Sequence, residues 1–353
     1  MKIANLETPA LIVEKKIFDK NAQKMKDLLQ NSNLALRPHY KSHKCASIAN
    51  FQIKNGAKGM TCAKLSEALD LADAGIEDIL IANQIVEPQK ISKAAFLAKA
   101  CRLTVCVDNE ENVDALNNAA KNADSIIHCL IEFDIGMERC GVTDPQKVLS
   151  LANKINEKSN LQFEGIQAYA GHVSHMEDIA ERKQYTENNN KKLKDLLKLL
   201  GENEIKTNIV SGGSTGTAEI KAKEGIYNEL QAGSYLFMDS TYATLNLPFE
   251  NSLFILTTVV SRRGDITVVD AGVKTCGVDQ GMPAVKDASV CEIVASEEHF
   301  QLHGLSKNLK VGDKVLLVPG HCCSTVNLHD KIYIVDDGRV VDRIAITAKG
   351  IGK

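Results

Sequence analysis

Short apolar runs rich in β-branched residues alternate with longer helical patterns through the first two-thirds of the chain. The runs at 34–40, 58–63, 78–82, 102–107, 126–133, 163–169, 207–211 and 229–235 read as strands. Between them, KLSEALDLADAG (64–75) repeats Leu65, Ala68, Leu69 and Ala72 at three-to-four-residue spacing, with Gly75 where a helix C-cap stands. KKLKDLLKLLG (191–201) behaves the same way. Eight strands separated by helices predict parallel βαβ units, and eight such units close a (β/α)8 barrel, an α/β fold. An open doubly wound sheet is the competing architecture, but no GxGxxG follows the first strand.

After about residue 250 the texture changes. SLFILTTVVSRRGDITVVDAG, KVLLVPG and KIYIVDDGRVVDRIAITAKG are β-rich, with turn signals at RRGD and DDG and little helical period. The expected division is a barrel over 15–245 and a β domain over 246–353, with residues 1–14, which include the strand-like TPALIVE, pairing with the β domain. No internal repeat or low-complexity linker interrupts the chain.

A length of 353 residues suits one large domain plus a second. The 44% hydrophobic and 25% charged shares are ordinary for a globular protein, and a net charge of -3 argues against nucleic acid or an anionic membrane as the main partner. No apolar run approaches the roughly 18 residues a membrane span needs. The start, MKIANLETPALIVEKK, lacks the uninterrupted apolar core of a signal peptide. The ten cysteines are scattered without a CxxC pair, so reduced thiols and a cytoplasmic location are expected.

In such barrels chemistry sits at the C-terminal ends of the strands. LRPHYKSHK (36–44) then forms the mouth of strand one and gathers Arg37, His39, Lys41, His43 and Lys44. Seen alone, the run is a solvated basic turn. Strand five ends at EFDIGMERCG, delivering Arg139, and strand six at AYAGHVSH, delivering Tyr169, His172 and His175. Strands seven and eight end at SGGSTGT (211–217) and AGSY (232–235). Two neighbouring Gly/Ser/Thr-rich turns suit a phosphate, which loop N–H groups, hydroxyls and a helix N-terminus would hold.

A phosphate site opposite a lysine points to pyridoxal 5'-phosphate, which needs an anchored phosphate and an amine for its aldehyde. Arg37, Lys44 and protonated histidines nearby would lower the pKa of Lys41 by like-charge repulsion. Arg139 suits the phenolic oxygen of the cofactor or a substrate carboxylate; a salt bridge to Glu138 or Asp134 is the alternative. In VPGHCCSTV (318–326), His321 and Cys323 are two residues apart on a strand-like edge and can face one way. An imidazole and a thiolate suit zinc or a similar divalent ion with positions left open; a buried thiol beside a surface histidine is the alternative.

RPHYKSHK, DIGMERCGV, QAYAGHVSH, SGGSTGT, LQAGSYLFMD and PGHCC, in this order, resemble the fold-type III pyridoxal-phosphate enzymes. The similar branch holds D-threonine aldolase, D-3-hydroxyaspartate aldolase and the eukaryotic-type D-serine dehydratase, and DIGMERCG is also similar to a turn of alanine racemase. The resemblance implies an alanine racemase-like barrel with a C-terminal β domain. It makes Lys41 the Schiff-base lysine and gives Ser211, Gly212, Gly213, Thr215, Gly216, Gly233, Ser234 and Tyr235 to the phosphate cup. Tyr169 and Arg139 would touch the cofactor ring. His321 and Cys323 match the metal pair of the D-serine dehydratase, whereas some aldolases place an aspartate second; the thiol tilts the ion towards zinc, with manganese or magnesium as alternatives. His175 stands where the aldolases keep a histidine near the substrate hydroxyl, and His172 is a further candidate. Members are homodimers in which the β domain of one subunit covers the barrel mouth of the other, so the active site is shared.

The implied activity is that of a metal-dependent lyase acting on D-β-hydroxy amino acids. Removal of the hydroxyl proton by His175, or by a metal-bound hydroxide, breaks Cα–Cβ and gives glycine and an aldehyde. Removal of the α-proton by Lys41 leads instead to dehydration, giving pyruvate and ammonia from D-serine. The aldolase is favoured because AYAGHVSH supplies the histidine. An amino acid racemase would need a base on the second face, usually a tyrosine of the β domain, and Tyr333 in KIYIV looks like an ordinary strand residue. A non-catalytic pyridoxal-phosphate carrier would not need a full β domain with a metal pair. Asn83 and Gln84, after strand three, read as substrate contacts or backbone caps, and His39 and His43 as site or turn residues.

Overall fold

The apolar runs become strands that helices cover on one side and barrel interior on the other. In the computed structural model, which describes residues 1–350, β1 (Ala10–Glu14) precedes β2 (Ala35–Leu36), β3 (Met60–Cys62), β4 (Asp78–Gln84) and β5 (Arg102–Val107). β6 (Ile127–Glu132), β7 (Leu161–Ala168), β8 (Ile209–Gly212) and β9 (Glu229–Leu230) follow. The last three residues of the expected β domain, 351–353, lie outside the described residues. β2 to β9 pair in parallel in the order β2-β9-β8-β7-β6-β5-β4-β3. A parallel bridge between His39 and Thr61, with Thr61 N donating to Pro38 O at 2.8 Å and Lys58 N to Leu36 O at 2.9 Å, joins the two ends and closes the expected (β/α)8 barrel. All of β3, and β5 from Leu103 to Val107, is buried, which is why these parallel strands read as continuous apolar runs.

Local chemistry sets the helix ends. Asp178 accepts from the N–H groups of Ala180 and Glu181 to start helix Ile179–Glu202, and Asn109 accepts from Asn112 N to start Glu110–Ala123. Asp144 and Glu87 cap helices that open with Pro145 and Pro88, where a missing N–H leaves no bond unmade. On Glu110–Ala123 the buried Val113, Leu116, Ala120 and Ala123 recur at three- and four-residue steps and form its inner face.

The first residues of the strands carry charges that correct one expectation. The Arg37 guanidinium is 1% exposed and bonds both carboxylate oxygens of Glu229 at 2.9 Å and those of Asp78 at 2.9 and 3.1 Å. Glu229 and Asp78 open β9 and β4. Lys58 reaches Glu229 at 2.8 Å, and Arg102, which opens β5, reaches Asp78 at 3.4 Å and Glu164 at 2.7 Å. Burial opposes the charge on Arg37, but the bonds to Glu229 and Asp78 outweigh it and hold the guanidinium above its ordinary pKa. Burial likewise pushes Glu229 up, and Arg37 and Lys58 more than reverse it. Arg37 is therefore part of an ion-pair cluster at the N-terminal ends of the strands and is not one of the cations around Lys41. Only Pro38, His39 and Tyr40 separate the two, but Arg37 is tied to the strand starts while Lys41 stands in the turn Tyr40–Ser42.

Residues 1–25, 42–45 and 234–350 form a second compact unit. Its strands after β1 are β10 (Leu253–Arg263), β11 (Ile266–Val269), β12 (Ala284–Val285), β13 (Glu292–Ala295), β14 (Phe300–His303), β15 (Lys314–Val318), β16 (Lys331–Asp336) and β17 (Arg339–Ala345). β1 lies between two of them, antiparallel to β10 with Ala10 opposite Leu256, and parallel to β16 with Ile12 opposite Tyr333. Leu6, Ala10, Ile12, Phe254, Leu256, Val318 and Val335 form the buried cluster beneath, and Tyr333 packs against it. Asp337 and Gly338 join β16 to β17 at φ 46° and 70°, the left-handed pair that a tight hairpin turn needs. No helix among the described residues is long and apolar enough to cross a membrane.

Candidate active site

Beyond the C-terminal ends of the barrel strands lies a cavity of about 170 Å³ whose walls include Lys41, Arg139, Tyr169, His39, Asn83 and Gln231. Lys41 sits in the turn Tyr40–Ser42, where the Tyr40 hydroxyl is tied to Asp70. Its Nζ is 5.9 Å from the centre of the Tyr169 ring, and the Arg139 guanidinium carbon is 5.9 Å from the same centre. Residues from the ends of strands one, five and six thus meet. His39 accepts from Lys41 N through Nδ1 at 3.4 Å, while its own N–H donates to Ala232 O at 3.2 Å. His39 belongs to the cavity. His43, by contrast, accepts from Cys45 N and shapes the turn in the second unit.

One acidic neighbour of Arg139 is used locally. The Asp134 carboxylate accepts from the backbone N–H groups of Gly136, Met137 and Glu138 and so folds the loop. Asn83 is both wall and cap: its Nδ2 donates to Ala63 O at 3.0 Å and its Oδ1 accepts from Gln84 N. Gln84 instead donates to Glu132 at 2.6 Å; burial raises that carboxyl, and the Gln84 bond and the charge of Arg139 only partly offset the rise.

The amides of Gln167 and Gln231 also line the cavity, and sequence reasoning passed over them. Gln231 Nε2 donates to Gln167 Oε1 at 2.6 Å and to Ser211 Oγ at 2.8 Å. The available signal was a polar residue inside an otherwise apolar barrel strand, in FEGIQAY and ELQAGSY. Gln231 N also donates to Gly212 O at 2.9 Å, which sets the 211–217 turn beside the cavity.

Backbone crowding determines the composition of that turn. Gly213 has φ +73°, and a Cβ on Gly216 would lie 2.1 Å from Ser174 O. Ser214 Oγ is 2.8 Å from Ser174 Oγ, so the turn is clamped to the one that carries the histidines, Gly171–His175. Thr215 Oγ1 is buried with no hydrogen-bond partner. A spare buried hydroxyl on a turn of bare backbone fits the phosphate of pyridoxal phosphate. Replacing Gly216 by alanine forces the two turns apart, and the expected result is cofactor affinity weakened about tenfold, which an absorbance titration of the cofactor would read.

Other expected site residues are placed less simply. His172 is exposed and meets Tyr185 edge-on at 6.4 Å; His175 is half-buried on the same turn, and neither is among the residues lining the cavity. Arg182 anchors this turn by donating to Met176 O at 2.9 Å. Gly233 ends the barrel unit, whereas Ser234 and Tyr235 belong to the second unit. There, Tyr235 is buried against Phe249 with ring centres 6.0 Å apart, and Ser234 Oγ is 3.9 Å from Cys323 Sγ.

His321 and Cys323 do not lie on a strand edge. His321 is the N-cap of a short helix, Cys322–Val326, because its carbonyl accepts from Thr325 N and Thr325 Oγ1, which curls the chain. Cys323 then falls on the first helical turn. Burial pulls the His321 imidazole down, but hydrogen bonds and charge from Cys323 and Asp279 outweigh it and lift it to about 9. Cys323 Sγ donates to Ser42 Oγ at 3.4 Å. No group of three or more His, Cys, Asp or Glu among the described residues is arranged to hold a metal ion. An imidazole and a thiol within hydrogen-bond reach nevertheless fit a divalent ion at an open site, with the remaining positions left to water and substrate.

Residues 13–241 match the alanine racemase N-terminal domain family, and residues 252–335 match a putative serine dehydratase domain. The chain is 38% identical to a D-threonine aldolase of Arthrobacter, with 99% of this chain and 95% of that protein covered. It is 37% identical to a 3-hydroxy-D-aspartate aldolase of Paracoccus denitrificans, with 100% and 94% covered. The crystal structure of D-threonine aldolase from Filomicrobium marinum is similar at a TM-score of 0.96 and 36% identity, covering 99% of this chain and 98% of that one. Similarity of this extent, running through both domains, leaves one conclusion: the chain belongs to the pyridoxal-phosphate-dependent lyase family of D-threonine aldolase and 3-hydroxy-D-aspartate aldolase, built on the alanine racemase-like fold.

Proposed function

We propose that this protein cleaves the Cα–Cβ bond of D-β-hydroxy amino acids to glycine and an aldehyde, using pyridoxal 5'-phosphate and a divalent ion, zinc before manganese or magnesium. The observation that carries the reading is the meeting of Lys41, Arg139 and Tyr169 in one cavity beside the 211–217 turn. When bound, the cofactor supplies an electron sink for the breaking bond, and the ion makes the substrate hydroxyl more acidic.

The chain's own residues divide the remaining work. Lys41 offers the amine that retains the cofactor aldehyde. Ser211, Gly212, Gly213, Thr215, Gly216 and Gly233, with Ser234 and Tyr235, grip its phosphate. Arg139, with its forked donors, takes an anionic oxygen, and the Tyr169 ring lies 5.9 Å from both that cation and Lys41. His321 and Cys323 hold the ion. His175, with His172 as the second candidate, accepts the proton from the β-hydroxyl oxygen of the D-amino acid. The working unit is a cytoplasmic homodimer that shares each site between subunits.

D-serine dehydration is the second reading, favoured by the serine dehydratase match over 252–335 and by the thiol of Cys323. Lys41 would then take the α-proton. Pure protein incubated with D-threonine and with D-serine separates the two: glycine from the former is expected, and pyruvate from D-serine without glycine from D-threonine would reverse the assignment. Chelation of the ion is expected to cut turnover at least about a hundredfold while the absorption of the bound cofactor persists.

A further inference from the structure

Asp279 has no place in the roles assigned so far, yet the structure fixes it with care. Its loop packs backbone to backbone on the His321 turn: His321 N donates to Gly277 O at 3.2 Å, and a Cβ on Gly320 would lie 1.8 Å from Gly281 O. Both carboxylate oxygens are committed. Oδ2 is 2.7 Å from His321 Nδ1, and Oδ1 accepts from Ser324 Oγ at 2.5 Å. An ionised carboxylate can only accept, so the ring proton of a neutral His321 belongs on Nδ1. That leaves the lone pair on Nε2. The ring also interacts with Cys323, two residues on, and with Nδ1 committed to Asp279, Nε2 is the ring nitrogen left to share an ion with the sulfur.

A histidine protonated on Nε2 could not ligate an ion between itself and Cys323. We propose that Asp279 is a positioning residue that holds the His321 ring and its tautomer so that Nε2 and Cys323 Sγ can share one divalent cation. The inference rests on the reading of His321 and Cys323 as the ion's ligands. Orientation, not charge, is the working element, because the Asp279 side chain is 51% exposed and such an ion pair adds little by Coulomb attraction alone.

The test uses the full-length, cofactor-loaded enzyme stripped of divalent ions and titrated with Zn²⁺ against a chromophoric chelator. D279A is expected to weaken Zn²⁺ binding about 10–100-fold, the usual range for partners behind a ligating histidine. D279N keeps an acceptor for Nδ1–H and is expected to stay within about threefold of wild type, with S324A between the two. The cofactor absorption and the metal-free melting temperature should not move. If H321A and C323A bind Zn²⁺ as wild type does, the ion-site reading itself fails. If those two lose binding while D279A retains it, or if D279N loses as much as D279A, the role given to Asp279 is overturned.

Discussion

Lys41→Ala is expected to cut turnover on the order of a thousandfold or more and to remove the visible absorption of the retained cofactor. Among the described residues that line the cavity Lys41 is the one lysine, so the lining offers no second amine to replace it. The side chain is only half-buried, and its removal should leave the melting temperature close to wild type. Lys41→Arg sharpens the comparison. A guanidinium keeps the charge near Tyr169 but does not deprotonate, so it should be as inactive as alanine. Retained turnover in either variant would sink the assignment of the cavity.

Arg37→Met is expected to destabilise the barrel by about 3 kcal/mol, read as a shift of the urea midpoint. The replacement fills space but strands Glu229, 1% exposed, with only the half-exposed Lys58, and removes two of the bonds to Asp78. The double variant R37M/E229L should recover most of the loss, since the buried carboxylate goes with its partner, Asp78 keeps Arg102 and the released Lys58 is half-exposed. The pH dependence follows from Glu229, whose folded pKa lies below its ordinary 4.5. Its contribution is complete above that value and is lost as pH falls through the folded pKa, so the gap between wild type and R37M should narrow only on the acid side. A gap independent of acid would show that packing, not the ion pair, dominates.

The barrel was legible because strand and helix periods differ and eight strand runs recur with helical stretches between them. Lys41, Arg139 and Tyr169 were legible because each lies at or just beyond the end of a run that had to be a strand, Arg139 in the loop six residues on, and strand ends converge in a barrel. Arg37 was misplaced for the converse reason. Neighbours along an extended segment are far apart in space, and the residues that bind Arg37 are the first letters of other runs, Asp78 and Glu229. Asp279 gave no signal at all, since it lies in a loop, TCGVDQGMP, whose packing against PGHCC is a long-range event. The strand assigned to VPGHCCSTV failed because Thr325 bonds back to His321 O, a local competition that composition does not reveal.

The placement of β1 between β10 and β16 has a consequence for biogenesis. β1 is made before the barrel strands, yet it is an interior ladder of a sheet whose other strands follow the barrel, so it must wait, unpaired, through the whole of barrel synthesis. Loss of β1 would accordingly wound strands encoded more than two hundred residues later, exposing the facing edges of β10 and β16 as adhesive surfaces.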